Sequence, residues 1–248
     1  MNVTSEITAR LHCYLSNKPY ITYHKSNVEN VTSSGYLKRI QKRRVENVRV
    51  NDSVFYEDET VLSNVKFIKS CKKYITGLKG KIIDVGCASG DYYRIFKIFK
   101  LPFSNLKYTG IDISGEDIET ACIKYPEAKF LKLDLKNMKN IRGKYEVIFC
   151  SGTLQYLNKD YFDVLNAFGK ISNKYIFITR LPLTNESTTY ACQRVFYRGG
   201  LEVRNLLILN LMEFEAYIKS FGFTIIKKSK NNSYFNVRGM RDNVYHYN

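Results

Sequence analysis

No run of 18 or more apolar residues occurs in the sequence, which excludes a membrane-spanning helix. The opening stretch MNVTSEITARLHCYLSNKPY holds no continuous apolar segment and does not read as a signal peptide. None of the six cysteines (Cys13, Cys71, Cys87, Cys122, Cys150 and Cys192) lies in a CxxC pair, so neither a zinc site nor a disulfide frame is expected. Reduced core thiols in a cytoplasmic protein are the expectation instead. Histidine is scarce as well: only His12, His24 and His246 are present, and no His/Asp cluster at ligand spacing argues for a metal. Acids are few beside bases, 23 against 39, for a formal net charge of +16.

A chain of 248 residues with 44% hydrophobic and 25% charged residues has the composition of a folded domain with a sizeable core. The charge has two readings. Enrichment in Lys, Asn, Ile and Tyr is what an AT-rich genome imposes through its codons, and then the charge carries no function. Alternatively, basic residues attract phosphates, and Lys38, Arg39, Lys42, Arg43 and Arg44 form a cluster whose 38/42 and 39/43 spacings share a helical face. That patch keeps an RNA partner open as an alternative.

From Lys81 onward, short apolar stretches alternate with amphipathic ones. Strands are predicted at Lys81–Val85, Tyr108–Ile113, Lys129–Leu133, Tyr145–Ser151 and Tyr175–Arg180. Helices are predicted at Asp91–Phe99, Glu116–Lys124 and Tyr161–Ile171, the second capped by Ser114 three residues before Asp117 and stopped by Pro126. This rhythm is that of βαβ units around a parallel sheet covered on both faces. In the tail a helix is predicted at Met212–Ser220 with Gly222 as its stop, followed by a hairpin of Phe223–Lys228 and Tyr234–Arg238 around SKNNS. Residues 1–79 show no strong strand rhythm and are expected to form a helical extension or lid, with helices near Ser34–Glu46 and Thr60–Ile75, ahead of a domain over 80–248.

The stretch IIDVGCASG ends a predicted strand with Asp84-x-Gly86-x-Ala88-x-Gly90. The dinucleotide pattern GxGxxG, laid on Gly86, would require a small residue where Asp91 stands, so that fingerprint is excluded. The tighter spacing leaves Gly86, Ala88 and Gly90, all small, at a turn that brings bare backbone close to a ligand. One βαβ unit later Asp112 ends a strand, where a carboxylate accepts hydrogen bonds from ribose hydroxyls. Asp134 follows the next strand in FLKLDL. Each acid alone reads as a cap or turn residue. In order at three successive strand ends, they converge on the crevice where open α/β sheets bind ligands.

With these residues the sequence resembles the class I S-adenosylmethionine-dependent methyltransferases: IIDVGCASG is similar to their first motif, YTGIDIS to the second, FLKLDL to the third and YEVIFCSGTLQYL to the fourth region. The resemblance implies a Rossmann-like α/β fold with a seven-stranded, mostly parallel sheet, an antiparallel C-terminal hairpin strand, and helices on both faces. It implies S-adenosyl-L-methionine as cofactor and S-adenosyl-L-homocysteine as product. Asp84 and Gly86 to Gly90 would surround the methionine part, Asp112 would hold the ribose, and Asp134 with a neighbouring amide would read the adenine. The implied cofactor set is Asp84, Gly86, Cys87, Ala88, Gly90, Asp112, Ile113, Asp134, Leu135 and Ser151, with Ala88 standing where glycine is commonest. A narrower resemblance, carried by SGTLQYL, YIFITRLPLT, TTYACQRV and FEAYIKSFGF, is to methyltransferases of bacterial surface-polysaccharide gene clusters. It implies a small-molecule or glycan-precursor substrate.

Methyl transfer from a sulfonium is an in-line displacement, so positioning supplies much of the acceleration, and a hydroxyl acceptor also needs a base. Ser151-Gly152-Thr153-Leu154 stands where DNA amine methyltransferases carry Asn/Asp-Pro-Pro-aromatic, which argues against such an enzyme. Gln155 falls where many small-molecule relatives have a histidine; an amide orients an acceptor but removes no proton. His24 in the N-terminal arm is therefore the candidate base, Tyr156 a candidate lining residue, and Arg180 and Arg194 the candidates for binding a carboxylate or phosphate. The expected function is O-methylation of a small anionic metabolite such as a nucleotide-linked sugar. RNA methylation and a non-catalytic methyltransferase-like subunit are the alternatives.

Overall fold

A computed structural model describes residues 20–26, 59–75, 77–157, 160–197, 200–235, 240–242 and 244–247. Five parallel strands, β2 (Lys81–Val85), β3 (Lys107–Asp112), β4 (Lys129–Lys132), β5 (Tyr145–Ser151) and β6 (Ser172–Thr179), lie in the order β4-β3-β2-β5-β6. Each lies within two or three residues of its sequence expectation. β2 is buried from Ile82 to Val85, the near-continuous apolar pattern of a strand covered on both faces. The order reverses direction between β2 and β5, which places a ligand crevice at their carboxyl ends.

Helices cover both faces. On one side pack α1 (Glu59–Ser70), α2 (Asp91–Ile98) and α3 (Gly115–Lys124), over a core that includes Val61, Ile68, Phe96, Phe149 and Phe177. Phe96 meets Phe149 edge-on at 5.1 Å and Phe103 meets Phe177 at 4.9 Å, contacts that add to simple burial. On the other side α4 (Tyr161–Ile171) and α5 (Leu211–Ser220) cover Ile83, Val85, Ile148 and Cys150. α3 begins as its sequence dictates, with the Ser114 hydroxyl accepting from the Asp117 amide at 3.2 Å.

Beyond β6 the chain passes through Arg180 into β7 (Leu181–Thr184), against which β11 (Val244–Tyr247) runs antiparallel, itself paired with β10 (Lys230–Phe235). The antiparallel strand expected at the C-terminus is thus β11. The hairpin is shifted from the expected one. Most of SKNNS lies inside β10 rather than in a turn, and Phe223–Lys228 belongs to neither sheet among the described residues. Lys227 instead donates to Ser70 Oγ (2.7 Å) and Lys228 to Glu215 (2.5 Å). A local turn signal was overridden by pairing with β11.

Besides β7, three strands were not expected. β8 (Thr189–Tyr197) and β9 (Gly200–Asn210) form an antiparallel pair, β9 lies beside β7, and β1 (Tyr20–Ser26) adds to β8. The six-stranded sheet β1-β8-β9-β7-β11-β10 thereby includes part of the region expected to be helical. Of the helices expected there, Glu59–Ser70 is formed, with turns continuing to Ile75, whereas Ser34–Glu46 lies outside the described residues, as does the Lys38–Arg44 cluster. Cys71, Cys87 and Cys150 are buried as expected of core thiols, but Cys122 is exposed on α3, where Ala121 takes the inward position. Among the described residues no helix is long and apolar enough to cross a membrane, and no group of His, Cys, Asp and Glu converges on a metal site.

Candidate active site

The turn after β2 is built on contacts that only small residues allow. Gly86 has φ +77°, and a Cβ there would lie 2.1 Å from Thr153 Oγ1 in the loop after β5. The amides of Gly86 and Cys87 both donate to Ile111 O, at 2.9 and 3.0 Å, tying the turn to β3. Ala88 adopts φ +48°, a left-handed conformation that strains a residue with a Cβ, and its amide donates to Asp112 Oδ2 at 2.9 Å. Asp112 Oδ1 accepts from the Ser114 amide, also at 2.9 Å. Two backbone amides therefore fix this carboxylate at the end of β3 and leave lone pairs for ribose hydroxyls. Beside it Ile113 is 46% exposed, an apolar surface at the lip of the crevice.

Asp84 lies beneath, 1% exposed, and accepts from the Tyr108 hydroxyl at 2.5 Å. Burial pushes its pKa up to about 7, Tyr108 works against that shift, and the charges of Asp112 and Asp91 add to it. A buried acid of this kind favours a cation above it. Cys87 is placed differently: its sulfur sits against β3, so that a Cβ on Gly110 would come within 2.8 Å of it, and burial raises its pKa. Gly90 opens α2 at φ +83°. Asp134 Oδ1 accepts from the Lys136 amide at 3.0 Å and so caps the short 3-10 turn Leu135–Asn140, in which Leu135 is buried.

The other half of the crevice is formed by the ends of β5 and β6. Ile176 and Ile178 of β6 face α4 and α5, and so do Leu181 and Leu183 of β7. A strict alternation would separate Ile178 from its next same-face neighbour by two positions; here the separation is three. Thr179 and Arg180 together occupy the opposite side, and Arg180 absorbs the extra residue at φ +61°. This bend between the strands of two sheets re-aims the side chain. It brings the Arg180 guanidinium to 3.5 Å from where a Cβ on Gly152 would stand, directly beyond Ser151.

Around it lies a polar group that no single sequence window contains. The Tyr92 hydroxyl accepts from Asn64 Nδ2 of α1 and from Ser151 Oγ at 3.0 Å, and Asn64 Nδ2 also reaches Ser151 Oγ at 3.3 Å. Burial raises the Tyr92 pKa, against the lowering field of Arg180. Asn64 is 0% exposed and Gln155 7%, yet Asn64 Oδ1, Gln155 Oε1 and Thr179 Oγ1 have no hydrogen-bond partner among the described residues. Buried acceptors left so are costly in a closed core and fit a ligand carrying N–H or O–H donors. With Asp112 for hydroxyls and Asp84 beneath for positive charge, the donor set fits S-adenosylmethionine, a cationic nucleoside.

The structure thus brings together Asp84, Gly86, Ala88, Gly90, Asp112, Ile113 and Ser151, and joins Arg180 to them beside Gly152, while Gln155 is buried in the short turn after β5. The remaining candidates are placed as follows. Cys87 presents its side chain to β3. Tyr156 is 36% exposed, at the surface rather than in the core. Arg194 lies on β8 opposite Val203 and Thr22, on a different strand from Arg180. The backbone of His24 is in β1 opposite Cys192, which in turn faces Asn205, so it is part of a sheet rather than of a helical lid. Sequence reasoning missed Asn64 and Tyr92. No spacing rule links the two, since they stand on α1 and α2. On β11, burial and the nearby charge of Arg180 bring His246 down to about 4.

Residues 82–173 match a family model described as a methyltransferase domain. Among solved structures, an S-adenosylmethionine-dependent methyltransferase from Clostridium acetobutylicum is 14% identical with a TM-score of 0.57, over 83% of this chain and 98% of that one. Magnesium protoporphyrin IX methyltransferase from Synechocystis with bound SAH is 15% identical with a TM-score of 0.55, over 85% and 93%. A 1,6-didemethyltoxoflavin-N1-methyltransferase from Burkholderia thailandensis is 10% identical with a TM-score of 0.55, over 91% and 93%. No curated protein matches the chain.

Proposed function

We propose that the protein is an S-adenosylmethionine-dependent methyltransferase that methylates a hydroxyl of a small anionic metabolite, such as a nucleotide-linked sugar or surface-glycan precursor, a reading supported by the match of residues 82–173 to a methyltransferase family model. The observation that carries this reading is Arg180. This non-glycine residue is held at φ +61°, a strained conformation, and the bend after β6 turns its guanidinium to Gly152, next to Ser151. A guanidinium there pairs with a phosphate or carboxylate. The neighbouring enzymes named for protoporphyrin IX and didemethyltoxoflavin support a small-molecule acceptor on this fold.

Bound S-adenosylmethionine supplies an electrophilic methyl group on a sulfonium. The protein's residues divide the remaining tasks. Asp112 holds the ribose hydroxyls, and Asp84 places negative charge beneath the cationic end. Gln155 accepts a hydrogen bond from the acceptor and orients it, and Arg180 holds its anionic group. Uridine and thymidine diphosphate sugars incubated with methyl-labelled cofactor test the reading. A labelled product whose KM rises about tenfold or more in Arg180→Ala, with kcat less affected, is expected on loss of a charged hydrogen bond. Equal KM values in the two proteins would remove Arg180 from the acceptor site.

A further inference from the structure

We infer that the end of the parallel sheet opposite the crevice docks on the surface of an anionic lipid bilayer. β2 to β6 all run in one direction, so their first residues lie together at that end. β2, β3 and β4 open on Lys81, Lys107 and Lys129, each exposed and without an ion pair among the described residues. Lys81 and Lys107 are direct partners across the sheet, a like-charge pairing that costs stability. The helices return to the same end, and α2, α3 and α4 carry Lys97, Lys124 and Lys170 in their last turns. α1 ends beside α2, with Lys69 5.5 Å from the Phe99 ring. Lys139, Lys144 and Lys170 line one cleft there. The acids at these strand and helix ends, Glu127 and Glu146, are already engaged by Lys97 at 3.2 Å and Lys174 at 2.7 Å. At the crevice end stand Asp84, Asp112 and Asp134, with Asp91, Glu116 and Asp163 in the first helical turns. Charge is thus divided along the strand direction. Codon bias fills a chain with lysine without choosing a face, and the helix dipole favours lysine only in a last turn. Neither places lysine at the start of three strands.

Two features favour a bilayer over a nucleic acid. Ile98 at the end of α2 is 50% exposed and Ile123 at the end of α3 is 82% exposed, and Tyr74 in the turns after α1 is exposed as well. Aliphatic side chains set among lysines fit the headgroup boundary, where apolar groups insert and cations meet lipid phosphates and carboxylates. A nucleic acid instead rewards aromatic faces for its bases and arginine forks for its phosphates. The charges here are also lysines spread over strand and helix ends rather than arginines along one groove. Near an anionic surface each lysine is worth about fivefold in binding. Strands of 5 to 8 residues hold the crevice about 20 Å from the docked end, so it stays open to acceptors arriving from water.

Sedimentation of the full chain with phosphatidylcholine vesicles, with and without phosphatidylserine, tests the proposal. Binding should require phosphatidylserine and fall as salt is raised, because added ions screen the attraction. The triple variant Lys81→Gln, Lys107→Gln, Lys129→Gln should bind about 100-fold more weakly. The double variant Ile98→Ser, Ile123→Ser, which keeps every charge, should lose about tenfold through the apolar area no longer inserted. All five positions are exposed at the end away from the crevice, so both variants should keep the denaturation midpoint and the S-adenosylmethionine affinity of the unaltered protein. Binding that either folded variant retains in full overturns the proposal and puts the contact elsewhere, as at residues 38–44. Absence of binding to phosphatidylserine vesicles overturns it as well, and a gel shift of single-stranded RNA by the same protein would then assign the face to nucleic acid.

Discussion

The two halves of the crevice are built by different means. At the ends of β2, β3 and β4, polar groups are satisfied by their own neighbourhood: Asp112 by the amides of Ala88 and Ser114, Asp84 by Tyr108, and Asp134 by the turn it caps. At the ends of β5 and β6, Asn64 Oδ1, Gln155 Oε1 and Thr179 Oγ1 have no partner among the described residues, and Arg180 is held in a strained conformation. One half is a preformed socket whose geometry is complete without ligand. The other is poised, with buried acceptors that lack partners among the described residues and the Arg180 guanidinium beside Gly152. Such a division suits a reaction in which the cofactor is fixed by the fold and the acceptor is a matter of specificity.

The seam between the halves is where the largest effect is expected. A methyl group on Gly86 would overlap Thr153 Oγ1 at 2.1 Å and force a Cβ into φ +77°. Gly86→Ala should destabilise the protein by about 3 kcal/mol through overpacking and strain, read as a shifted denaturation midpoint. Thr153→Ala should recover part of that loss in the double variant, since it removes the clashing oxygen but not the strain. Simple additivity of the two changes would show that the loops do not meet.

A smaller effect sharpens the socket itself. The Asp84 carboxyl has its folded value near 7, above the ordinary 3.8, so the folded protein binds this proton more tightly than the unfolded chain does. Its contribution therefore lowers the stability of the ligand-free protein as pH rises from about 4 to about 7. A cation seated above Asp84 displaces that proton. Affinity for S-adenosylmethionine should rise about tenfold between pH 5.5 and 7.5, with proton release seen by calorimetry in buffers of different ionisation enthalpy. S-adenosylhomocysteine, without the sulfonium charge, should show less of both. Equal pH dependence for the two ligands would place the sulfonium away from Asp84.

The smallest predicted effect runs the other way and belongs to the poised half. Arg180→Gly relieves a left-handed arginine and should stabilise the protein by roughly 0.5–1 kcal/mol, after the entropy that glycine adds to the unfolded chain. A variant that melts at a higher denaturant concentration while binding the acceptor less well would identify a residue kept for function. A variant that is less stable would mean that Arg180 holds the β6–β7 corner together.

This contrast also explains what the sequence made legible. The socket lies on short βαβ units, so IIDVGCASG, YTGIDIS and FLKLDL each present their residue at a fixed place relative to a strand end, and spacing singled them out as candidates. The poised half joins Asn64, Tyr92, Ser151 and Arg180 from α1, α2, β5 and the bend after β6, which only tertiary packing brings together. The bend itself was hidden in YIFITRLPLT, where Ile176, Ile178, Leu181 and Leu183 shift phase by one residue, a signal that a count of apolar spacing would have caught. The β8–β9 pair was signalled too, by Gly199-Gly200 between two β-rich runs. SKNNS carried the opposite error, because turn-forming residues entered β10 once β11 offered a partner.

The division between socket and poised half is tested most directly by calorimetric titration of S-adenosylmethionine into Asp112→Ala and Arg180→Ala. Asp112→Ala removes the carboxylate that the Ala88 and Ser114 amides orient, and should weaken binding by about 100-fold, the loss of two charge-assisted hydrogen bonds. Arg180→Ala should bind the cofactor with the affinity of the unaltered protein. Unchanged affinity in Asp112→Ala, or a loss in Arg180→Ala as large as that in Asp112→Ala, would contradict the division.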